Sequence, residues 1–246
     1  MSVLENIEIT ADRNYSDFRY PVQYVNRPNL NFRGFCGTVA SGVIRKGDEV
    51  VVLPSNKRSH IKSIVTFDEE LELAYSEMAI TLTLEDEVDV SRGDIIVHPD
   101  NLPASGDSFD ANLVWMAEDK LLPGKLYDFK LGTKLVSGQV KSIRSRIDVN
   151  TLEQLPAPAL ALNEIGKCEI NLDQVVNFDD YSDNRAMGSF IVVDRLSNVT
   201  VGAGMIHCDQ RKPQSGHEIS NAHVTKEERA ARYGQKPATV MFIGVS

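Results

Sequence analysis

The densest gathering of metal-binding side-chain types is His207, Cys208, His217 and His223. Closed zinc sites use Cys/His ligands in short, paired spacings. The gaps here fit no such pattern, and 209–217, with Pro213 and Gly216, reads as a linker. No metal site is expected. Two other segments bear on nucleotide chemistry. Asn56-Lys57-Arg58-Ser59 begins like the guanine-reading Asn-Lys-x-Asp, but Ser59 stands where the carboxylate is needed, in a predicted hairpin loop. At the other end, the apolar run Ala238–Ile243 leads into Gly244-Val-Ser246, so Gly244 and Ser246 fit only the start of a phosphate loop. A complete Gly-x-x-x-x-Gly-Lys-Ser/Thr occurs nowhere in the chain. Without its converging N–H groups and lysine, a triphosphate has no cradle. No Ser/His/Asp, Cys/His or paired-carboxylate pattern stands out, so no catalytic residue is assigned.

What remains are candidates for contact rather than chemistry. Asn26, Arg27, Asn29 and Arg33 crowd one connection. They read either as a polar loop or as an interface rim, where directional donors are useful. Glu85, Asp86, Glu87 and Asp89 read as a solvated turn that Arg92 partly balances. Trp115 reads as core, with a contact between domains second. Cys36 and Cys168 read as small core residues.

The elements that hold these residues are short strands. Pro21–Val25, Gly37–Ala40, Glu49–Leu53, Ile61–Phe67, Ile80–Leu84 and Arg92–Val97 fall within about 80 residues, with no helical period between them. Gly42 and Gly47 sit where tight reversals need a left-handed backbone. This pattern predicts a closed antiparallel barrel. Asn101–Asp107 reads as a linker. A second β unit follows, with strands at Leu126–Leu131, Ile143–Val149, Cys168–Leu172, Phe190–Asp194 and Val199–Ile206. In the tail, Thr225-Lys-Glu-Glu228 is a capping box for a helix over Lys226–Tyr233 that stops at Gly234.

Charge and composition bound the function. The net charge is -9, with 31 acidic and 20 basic residues over 1–207 and a net +2 over 208–246. A nucleic-acid partner is not expected, because phosphate contacts need a basic excess. Three widely spaced cysteines suit a reducing compartment. Met1–Thr10 lacks a signal-peptide pattern, and no run reaches the ~20 apolar residues of a membrane span. A cytoplasmic protein with no membrane contact is expected.

Gly37–Val50 resembles the entry to the barrel that follows the GTPase domain in translation-factor-type GTPases. Longer segments sharpen this: Phe18–Gly34, Ile64–Asp68, Leu84–Asp94, Val114–Ala117 and Asp194–Met205 resemble the GTPase (large) subunit of bacterial sulfate adenylyltransferase. Val224–Ala231 and Lys236–Ser246 resemble the start of an adenylylsulfate (APS) kinase, as in the bifunctional form. The resemblance implies a mainly β chain with two consecutive elongation factor Tu-like barrels and a short C-terminal helix–strand segment. It divides the chain into 1–16, a remnant of a preceding GTPase domain; 17–104 and 105–207, the two barrels; and 208–246, a linker and kinase start. It implies a scaffold coupling GTP hydrolysis to APS synthesis from ATP and sulfate, inactive alone. Partners would be the small catalytic subunit and the missing GTPase and kinase domains. GTP, Mg2+ and ATP would serve the complete protein, with no cofactor held in this chain. The alternative is a free-standing translation-factor-like module that binds protein or RNA.

Overall fold

The structure is a computed structural model that describes residues 14–29 and 32–208. The expected helix at 226–233, the apolar run at 238–243, and Gly244 and Ser246 lie outside the described residues. Among those described, every regular element is a strand.

The first barrel uses β1 (Arg19–Asn29), β2 (Phe32–Thr38), β3 (Val43–Arg45), β4 (Glu49–Leu53), β5 (Lys57–Val65), β6 (Glu70–Leu71), β7 (Leu73–Tyr75), β8 (Ala79–Leu84) and β9 (Ile95–Val97). The order β4-β9-β1-β2-β8-β5 closes through β4–β5 into a six-stranded ring, with β6 appended and β3–β7 forming a separate ribbon. Closure removes the exposed edges that invite aggregation. Gly42 and Gly47 turn the chain at φ of +79° and +86°, as their spacing predicts. A side chain at Gly42 would strike the Phe18 backbone. Phe18, Tyr20, Val22, Phe35, Ile44, Ile61 and Leu82 fill the interior. The Tyr20 hydroxyl lies 2.8 Å from the Phe35 carbonyl and 2.7 Å from that of Ile80. Burial pushes this phenol far above its usual range.

The second barrel uses β10 (Ala104–Trp115), β11 (Leu126–Leu131), β12 (Lys134–Ile147), β13 (Gln154–Leu155), β14 (Ile165–Phe178), β15 (Ser189–Val193) and β16 (Thr200–His207). Its order β11-β15-β16-β10-β14-β12 closes through β11–β12, again as six strands. Phe109, Trp115, Tyr127, Phe129, Phe178 and Phe190 dominate the core. Trp115 packs edge-on against Tyr127 at 5.6 Å between ring centres, and its indole N–H donates to the Asp119 carbonyl at 2.6 Å.

Several details differ from the sequence reading. The linker Asn101–Asp107 ends early: Ala104 already pairs with Phe178 at the start of β10. Its small, polar residues carry no strand period, and the pairing comes from long β14. Strand β5 stops at Val65, leaving Phe67 in an exposed turn. Cys168 is core, but Cys36 points outward from β2, half-buried, and accepts a hydrogen bond from Thr81 Oγ1 at 3.3 Å. Asp89 meets Arg33 at 3.2 Å, so the balancing arginine is not Arg92.

Charged groups brace the second barrel from outside. Glu164 is held below the usual carboxylate range by the Ala161 N–H and by Arg146, and Glu169 by Lys141. The Asn150 and Thr151 N–H groups do the same for Asp148. For Asp194 the Ser197 N–H leads, followed by Lys125 and the Leu196 N–H. All four carboxyls titrate lower folded than unfolded. Their contribution is therefore present above the unfolded value of about 4 and is lost as pH falls through the folded values. The midpoint of thermal unfolding should fall steadily below pH ~4. Asparagine or glutamine at these positions should flatten that fall, and an unchanged slope in the fourfold variant would contradict the assignment.

Candidate functional site

Two polar constructions stand out among the described residues, one joining the barrels and one on the first barrel alone.

The joint is built on Arg19. Strand alternation turns Phe18 and Tyr20 inward and Arg19 out of the first barrel, toward the β14–β15 connection of the second. There Arg19 is only 2% exposed. Its Nε donates to Asp179 Oδ2 at 2.9 Å and Nη2 to Asp179 Oδ1 at 3.1 Å. Nη1 donates to the carbonyls of Phe18 and Asn101, and Nη2 also to Asn101 Oδ1. All five donors of the fork are thereby used, two of them on one carboxylate. Asn184 adds a second tie, with Nδ2 to Ser41 Oγ at 2.8 Å and to Asp179 Oδ2 at 3.2 Å. Asp17 accepts from Asn101 Nδ2 and from Asn14 Nδ2, and its carbonyl accepts from Ser41. Beside this network Met187 of the second barrel packs on Val51, Leu53, Ile95 and Val97 of the first. That contact explains why β4 is apolar on both faces. The joint is thus a satisfied ion pair flanked by an apolar patch, a construction that fixes geometry.

The second construction is a cleft of about 270 Å³ beside the β1–β2 hairpin. Arg27 and Arg33 line it with Phe32, Lys62, and Glu85 to Glu87. The sequence candidates therefore divide: Arg27 and Arg33 face the cleft, whereas Asn26 and Asn29 lie on β1 outside its lining. Arg33 also stands over the Phe35 ring, 5.6 Å from its centre. Three cations and three carboxylates nearly cancel across the cleft. It is no phosphate cradle, and mixed charge around aromatic rings suits a protein rim.

Lys57, Arg58 and Ser59 open β5 and pair with Val52, Val51 and Val50 of β4, so of Asn56-Lys57-Arg58-Ser59 only Asn56 lies in the hairpin turn and the rest is strand. The Ser59 hydroxyl donates to Asp86 Oδ2 at 2.9 Å. His207 contacts Asn112 at 2.8 Å, and no group of three metal-binding side chains forms among the described residues. The Arg19 joint escaped sequence reading. An arginine between two aromatics on a strand was its signal, but nothing in the spacing points to Asp179, 160 residues away.

Two closed six-stranded barrels in tandem define a translation-factor-type double barrel. The profile described as "GTP-eEF1A C-terminal domain-like" matches residues 108–207. Sup35 complexed with GDP superposes with a TM-score of 0.72 at 18% identity, covering 84% of this chain and 51% of that one. Translation elongation factor SelB from Methanococcus maripaludis gives 0.65 at 21%, covering 84% and 46%. These likenesses establish the fold. Sequence relatives are closer. The bifunctional enzyme CysN/CysC of Rhodopirellula baltica is 51% identical over 100% of this chain and 40% of its own length. Sulfate adenylyltransferase subunit 1 of Pseudoalteromonas atlantica is 57% identical over 84% of this chain and 44% of its own. The chain is similar to sulfate adenylyltransferase subunit 1 and bifunctional CysN/CysC sequences, and it spans less than half the length of the curated relatives it matches.

Proposed function

We propose that this chain is the scaffold portion of a sulfate adenylyltransferase large subunit. In this reading its barrels couple GTP hydrolysis, carried out by a GTPase domain outside the chain, to APS synthesis from ATP and sulfate on a small catalytic subunit. The observation that carries the proposal is identity of 51–57% to those relatives over the double barrel. Two features support it. The barrels are joined by a satisfied ion pair, which suits a part that transmits geometry. Arg27 and Arg33, with Asn26 and Asn29 alongside, form a mixed-charge edge suited to docking the GTPase domain or the small subunit. The tail fits the start of an APS kinase, in keeping with the bifunctional relative's match over 100% of the chain. The net charge of -11 over 1–207 leaves RNA a poor partner.

GTP, Mg2+ and ATP then belong to the complete assembly. The purified chain should hydrolyse GTP no faster than buffer and should not phosphorylate APS. Phosphate release well above the blank, abolished by a competing guanine nucleotide, would overturn the proposal.

A further inference from the structure

We draw no further inference here: the strongest candidate, the apolar groove of about 560 Å³ on the outer face of the second barrel, where Val114 of β10, Ala203 of β16 and Ile191 of β15 stand level, carries none because nothing in the structure shows what covers it.

Discussion

Replacing Arg19 by methionine should be among the most damaging single changes in the double barrel, costing about 3–5 kcal/mol. Arginine at this position is 2% exposed and places two of its five donors on Asp179. Methionine fills much of the space, yet it leaves the Asp179 carboxylate, itself nearly buried, facing apolar surface with only Asn184 to answer it. Removing one partner costs far more than the pair contributes, because desolvation of the survivor goes uncompensated. Removing both partners tests this logic. Arg19→Met with Asp179→Leu should recover at least half the loss, since a matched apolar pair replaces a matched ionic one. Chemical denaturation would read both variants. The single variant should also separate one unfolding transition into two, as the barrels lose their tie. A loss below about 1 kcal/mol in Arg19→Met would show that the joint rests on Met187 and its neighbours instead.

Trp115→Ala should cost a comparable ~3–5 kcal/mol, by a different route. Here the loss is packing: an indole 1% exposed against Tyr127, at the end of β10. The cavity would open beneath the 116–125 connection, which the indole also holds through the Asp119 carbonyl. Trp115→Phe keeps most of the ring and gives up the hydrogen bond. The freed carbonyl can turn to water, so a loss of about 1 kcal/mol is expected. Circular dichroism during melting is the suitable probe, because the chain has a single tryptophan and the variants lack fluorescence from it. Equal losses in the two variants would contradict a packing role.

Much of the barrel architecture was legible because its signals are local. Gly42 and Gly47 announce turns by residue type, and Ile80, Leu82 and Leu84 announce a strand by period. The segments Phe18–Gly34 and Asp194–Met205 carried the family. What escaped was non-local. Arg19 and Asp179 belong to different barrels, and neither has a spacing that names the other. Ala104–Asp107 becomes strand only because β14 is long enough to pair with it. Arg27 and Arg33 were visible as a polar cluster, but their separation from Asn26 and Asn29 depends on how β1 and β2 present their faces. Leu152 and Leu196 look, in sequence, like any core leucine, yet both are exposed, in turns that Asp148 and Asp194 brace.

The central claim is that these barrels dock a separate catalytic subunit, and the most direct measurement is light scattering behind size-exclusion chromatography. Equimolar chain and sulfate adenylyltransferase small subunit should elute as one complex whose mass is the sum of the two. Two peaks at the separate masses, at concentrations of tens of micromolar, would contradict the account.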